Sequence, residues 1–353
     1  MFGLLRTTLS LMVMVYHLFL GVTPLGTYAV FGFYVISGYL MTYIMHETYG
    51  YSRPGMVSFA LNRFLRLYPQ YWIAAIFSIL LIVWLGADIV FATHPAVYLP
   101  EQLGEVLGNL FMAFFAWSPN AASPRLVPAS WAITVELTFY CLICIGISRT
   151  FLRVKVWFGL SLCYMLYTYL AGWSWDARYF PVPAASLPYS VGAAIFFVSR
   201  KKDLPSWWKV PLGTGGLFVA MIVNCLAWAF VYDNFDIGLF REVGFWINLA
   251  LFAVIVYRLS LGREIAVISR RLDSWIGHYS YPIYLLHWQV GAAMSYLCFG
   301  ETFHEFSSRG LVNLLVSMVS VFLISSVLIV LVDLPIQKIR SRVKSVKPSG
   351  TSG

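Results

Sequence analysis

The chain has 353 residues, 60% of them hydrophobic and only 11% charged, with a net charge of +9 and a mean hydropathy of +0.76. That balance lies far outside the range of a water-soluble globular domain and describes a polytopic membrane protein. The basic excess is read as membrane orientation, so no nucleic-acid partner is expected.

A transmembrane helix needs about 20 apolar residues. Runs of this kind fall at 3–21, 27–46, 67–87, 130–148, 156–172, 182–199, 210–231, 238–257, 276–299 and 311–333. The expected fold is all-α, a membrane bundle of about ten transmembrane helices. The first run lacks a small-residue cleavage site and holds Arg6 and His17, so it is read as a span and not as a cleavable signal. With ten crossings, all basic residues except Arg125, Arg178, Arg241 and Arg309 fall on one side, among them Lys202, Lys209, Arg263 and Lys347. Asp88, Glu101, Glu105, Asp176, Asp233, Asp236, Glu242, Glu301 and Glu305 fall on the other. The positive-inside rule then places both termini in the cytoplasm. Counting the run 103–118 as an eleventh span would put the clusters at Arg149 and Arg200 on opposite sides. Residues 88–129 are therefore expected to form one outer loop with a re-entrant or interfacial helix. Residues 1–335 make up the membrane domain. Residues 336–353 form a basic cytoplasmic tail whose end, Pro348 to Gly353, is expected to be disordered.

The polar residues inside the spans carry the functional signal, since an ionised group in a bilayer is costly and usually marks a site. Arg6 and His17 are eleven residues apart, which on a helix puts them within about 20° on one face and about 16 Å apart in depth. Glu136 enters from the outer side about 9 Å below the start of its helix, at a depth matching His17. A histidine oriented by a carboxylate is the usual arrangement of a general base. The bland alternatives are a histidine bonded to a backbone carbonyl and a carboxylate bonded between helices. Arg63 and Arg66, three residues apart at the inner end of the third span, suit bidentate phosphate binding, against an alternative of topological charge and lipid anchoring. Ser37 and Gly38 at mid-membrane are expected to allow close helix contact. His287 lies about halfway across its span, as a second intramembrane histidine expected to line the same cavity as His17. Asp333, before Leu334-Pro335 and the basic residues Lys338, Arg340 and Lys344, has the pattern of a helix cap. Cys141, Cys144, Cys163, Cys225 and Cys298 all fall in apolar segments and are read as packing residues. No histidine, His94 and His304 included, has metal-ligand spacing with a partner, and no metal site is expected.

Arg6-x10-His17, the segment Phe31 to Leu40, Arg63-Phe-Leu-Arg66-Leu-Tyr-Pro, Ser130-Trp131 through Glu136 to Tyr140, Ser280-Tyr281 with His287, and Asp333-Leu-Pro335 occur in this order. Together they resemble the integral-membrane acyltransferase-3 family over nearly the whole chain. Many members carry Glu where this chain has Asp333. The resemblance implies a multi-pass protein of a bacterial inner (plasma) membrane. It would move an acyl group, most often acetyl, from cytoplasmic acyl-CoA to a hydroxyl of an extracytoplasmic glycan or glycolipid. Acyl-CoA would be a donor substrate and not a permanently bound cofactor. His17 and Glu136 are then the expected catalytic pair, and Arg6, Arg63 and Arg66 the donor-binding residues. Trp131, Tyr140, Tyr281 and His287 are the expected substrate-binding residues. The thioester arm is expected to run along the Arg6–His17 stripe. The competing reading is a proton-coupled transporter or flippase of a glycolipid, because buried His and Glu also serve proton coupling; a third, a non-catalytic membrane scaffold, is disfavoured by the cost of the buried charges.

Overall fold

A computed structural model describes residues 2–21, 23–201, 212–235, 238–262, 265, 268–303 and 305–344. Lys202, Lys209, Asp236, Arg263, His304, Lys347 and the segment 348–353 lie outside the described residues. Among those described, the structure is all-α and contains no strand. The helices are α1 (Gly3–Val15), α2 (Thr23–Ile44), α3 (Arg53–Leu85), α4 (Ala87–Thr93), α5 (Leu103–Phe111), α6 (Ser130–Cys144) and α7 (Phe151–Leu170), then α8 (Trp175–Tyr179), α9 (Val182–Val198), α10 (Thr214–Asn234), α11 (Val243–Ser260), α12 (Arg270–Phe299), α13 (Ser308–Leu328) and α14 (Leu334–Lys344). π-Helical turns extend three of them, at Tyr16–Leu20, Met45–Tyr49 and Ile329–Asp333.

Each apolar run of the sequence falls on one of these helices. Among the described residues, five helical stretches, Pro24–Tyr49, Arg53–Leu85, Thr214–Tyr232, Val243–Ser260 and Ser308–Val343, are long and apolar enough to cross a bilayer; Gly3–Phe19, Ser130–Cys144 and Val182–Val198 are shorter apolar helices. Many apolar side chains point outward, as a lipid solvent permits. On α13 and the turn after it Leu315, Val319, Leu323, Val327 and Val330 are all exposed.

The chain divides into two compact units, Met1–Tyr39 with Leu187–Met318, and Leu40–Ser186 with Val319–Gly353. In the first unit α1 and α12 run parallel. Thr7 Oγ1 donates to Ile276 O at 2.8 Å, and Ser10 Oγ to Ser280 O at 2.7 Å. Asp273 serves as a cap borrowed from another helix. Its carboxylate accepts from the backbone N–H groups of Gly3 at 3.0 Å and Leu4 at 2.9 Å, where an anion meets unpaired donors and the positive end of the helix dipole. Gly3 makes this approach possible, because a Cβ there would stand 1.8 Å from Asp273 O. Gly38 plays the expected part of a small contact residue against α9, since a Cβ would meet Tyr189 O at 2.2 Å.

In the second unit α3 is longer than its apolar run. Ser52 Oγ accepts from Gly55 N at 3.3 Å, which with Pro54 in the first turn starts the helix well before the span. Arg63 and Arg66 consequently sit inside a helix and not at its boundary. Helix α5 covers nine residues of the expected 103–118, roughly 13 Å of rise, less than half of a bilayer core. Its last carbonyls would be orphans, and α3 supplies their donors. Tyr71 Oη bonds Asn109 O at 2.7 Å, Trp72 Nε1 bonds Leu110 O at 2.9 Å and Tyr68 Oη bonds Phe111 O at 2.7 Å. The aromatic half of the third-span motif therefore holds α5 against the middle of α3, about 20 Å of rise from Leu85. The basic tail begins as α14, which packs on α3.

Candidate active site

His17 lies in the π turn Tyr16–Leu20, closed by Gly21 in the left-handed region (φ 57°), whose N–H bonds Tyr16 O at 3.0 Å. π Turns interrupt the regular ladder and are frequent at functional sites. The half-buried His17 ring rests against the His287 ring, with centroids 5.1 Å apart and planes 32° from parallel. His287 is 1% exposed. Its Nδ1 stands 2.8 Å from Tyr284 O and 3.3 Å from Ile283 O. A carbonyl only accepts, so Nδ1 carries the hydrogen, and Nε2 of the neutral ring is left as an acceptor. His287 is thus a fixed neighbour of His17. Tyr281, half-buried, follows Ser280, whose hydroxyl lies 3.1 Å from that of Ser10.

Arg6 shares this helix pair, with Nη2 donating to Gly277 O at 3.4 Å. The stretch between Arg6 and His17 is occupied by α12 through the Thr7 and Ser10 bonds. The spacing that puts Arg6 and His17 on one face is the spacing that packs that face on a parallel helix.

Glu136 belongs to the second unit, where the hydroxyl of Tyr140, one turn along α6, donates to its Oε1. Tyr140 is 7% exposed and meets Phe59 edge-on at 6.2 Å. Trp131 is 9% exposed and packs edge-on against Tyr179 at 5.5 Å and Phe180 at 5.2 Å.

The basic cluster is larger than the sequence suggested. Arg66 Nη1 bonds Asp333 Oδ1 at 2.7 Å, and Gln70 Nε2 reaches the same oxygen at 3.2 Å. Asp333, read from the sequence as a cap, thus has a partner 267 residues away. Asn62 is fully buried, and its Oδ1 accepts from Arg63 Nη2 at 2.8 Å and from Arg340 Nη2 at 3.2 Å. Asn62 Nδ2 in turn donates to Arg340 O at 3.3 Å. Asn62 and Arg340 carried no local signal, because 278 residues separate them.

No curated protein and no solved structure matches the chain. A family model described as an acyltransferase domain, that of acyltransferase-3, matches residues 2–332. This favours an enzyme over the transporter reading and agrees with an all-helical chain carrying several apolar helices of membrane length. The chain belongs to the acyltransferase-3 family and is a membrane acyltransferase.

Proposed function

We propose that the protein takes an acyl group, most simply acetyl, from cytoplasmic acyl-CoA and esterifies a hydroxyl of a glycan or glycolipid on the far side of a bacterial plasma membrane. The topology in this reading has ten crossings, both termini inside, and α5 as a re-entrant element. Parallel packing of α1 and α12 supports it, since both helices then leave from the same side.

The observation that carries the reading is the setting of His17. It occupies a π turn beside a second histidine whose Nδ1 is held by the backbone. In this reading His17 removes the proton from the acceptor hydroxyl as the oxygen attacks the thioester carbonyl. The tetrahedral intermediate then expels the coenzyme A thiolate, which leaves as free thiol once protonated. Glu136 serves as the second catalytic group. Arg6, Arg63 and Arg66 hold the donor, while Trp131, Tyr140 and Tyr281 flank the acceptor.

Purified protein given acetyl-CoA and a glycan acceptor should release free thiol in step with ester formation. His17→Ala should slow that release by about 10² to 10⁴, the usual worth of general-base catalysis. Near-normal turnover by this variant would overturn the assignment. A double-mutant cycle with Glu136→Gln tests the pair, because residues acting as one unit are strongly non-additive. Effects that simply multiply would return Glu136 to the acceptor site.

A further inference from the structure

Two guanidinium groups, those of Arg63 and Arg340, share a single neutral amide oxygen, Asn62 Oδ1. Neither has a carboxylate within ion-pair distance among the described residues; Asp333, the acid of this group, is bound by Arg66. Like charges held together without an anion repel one another, and burial strengthens the repulsion. A donor is also left over. Arg63 Nε is buried with no hydrogen-bond partner among the described residues, and the buried Tyr49 hydroxyl lies against the Arg63 guanidinium. Phe59 links them, with Arg63 over its ring at 5.9 Å and Tyr49 at its edge at 5.8 Å. Arg63 and Arg340 are both half-buried, so neither side chain is sealed within the fold.

We propose that Arg63, Arg340 and Tyr49 form a phosphate-binding site, and that α14 is therefore part of the donor site and not only a basic tail. The identification of the phosphate as one belonging to coenzyme A rests on the function proposed above; the anion site itself does not. A phosphate oxygen between the two forks would separate the charges and take up the unused donor, as planar guanidinium groups do best. Asn62 positions both forks without neutralising either.

The test uses the full-length protein in lipid nanodiscs, and measures affinity for coenzyme A and for inorganic pyrophosphate. Nanodiscs of phosphatidylcholine alone are compared with ones containing phosphatidylglycerol. Arg340→Gln should weaken coenzyme A binding about ten- to hundredfold in both lipids, and Arg340→Lys should lose less. Asn62→Asp is the decisive variant, because it gives both guanidiniums a built-in counter-ion. It should hold or raise thermal stability while lowering coenzyme A affinity to a similar degree, an outcome that lost folding cannot produce. Unchanged affinity for coenzyme A and pyrophosphate in both Arg340→Gln and Asn62→Asp would overturn the proposal. If the variants instead lose only retained phosphatidylglycerol, the phosphate is a lipid headgroup and the donor assignment of α14 falls. If wild type binds pyrophosphate through Arg340 but never coenzyme A, the anion site stands and the acyl-CoA reading fails.

Discussion

Two arginine sites in the same unit show how differently one side chain can be housed. Arg125, 3% exposed, is wrapped by backbone. Its guanidinium donates to Asn120 O, Ala122 O and Pro128 O, and its Nη2 to Asn120 Oδ1 at 3.2 Å. Burial pulls it down to about 10, which still leaves it charged at neutral pH, and its donors are spent on the loop that leads into α6. Arg63 and Arg340 divide one oxygen between them and keep a donor in reserve. A cation whose hydrogen bonds close within the chain stabilises the fold, whereas one left incompletely paired near the surface is available to a ligand. Arg66 stands between these cases, closed by Asp333 yet adjacent to the open cluster.

The sharpest way to break this contrast is Arg66→Ala. Removing one member of a pair whose side chains are 15% and 4% exposed strands Asp333, and should cost about 3 to 5 kcal/mol in thermal or chemical unfolding. The double variant Arg66→Ala with Asp333→Asn should recover part of that loss. Next comes Arg125→Ala, which orphans several buried carbonyls and should cost about 3 kcal/mol of stability while donor affinity of the surviving folded protein stays near wild type. Arg63→Ala should show the reverse, donor binding weaker by about 1.5 to 3 kcal/mol with an unfolding midpoint close to wild type. Equal destabilisation by Arg63→Ala and Arg125→Ala would show that the difference in partners does not separate structure from binding. The smallest effect belongs to Asp273→Ala, a lost cap worth about 1 kcal/mol, read as fraying of α1 by amide exchange.

What could be read in the sequence was local. Apolar runs located the helices, because crossing lipid forces about 20 such residues to be contiguous. The i,i+3 spacing of Arg63 and Arg66 and the stripe of Arg6 and His17 followed from helix geometry alone. The start of α3 was missed because hydropathy detects the lipid-crossing part of a helix, while Ser52 and Pro54 set where this one begins. Of the long-range partners only His287, expected to line the same cavity as His17, was foreshadowed. His287 beside His17, Asp333 beside Arg66 and Arg340 beside Asn62 each join residues more than 260 positions apart, and no spacing rule reaches that far. The aromatic run Tyr68-Pro-Gln-Tyr-Trp72 was visible as a pattern, but its work of satisfying the end of α5 appears only when the carbonyls of residues 109–111 are traced to their donors.

The pairing of α1 with α12 also sets a schedule. Helix α1 precedes its cap, Asp273, by 270 residues, which at about 5 to 20 residues per second of synthesis is a wait of roughly 15 to 50 s. During that interval the N–H groups of Gly3 and Leu4 lack their carboxylate and His17 lacks its companion ring. Chains interrupted before α12 therefore have an uncapped α1 and a His17 without the ring of His287 against it.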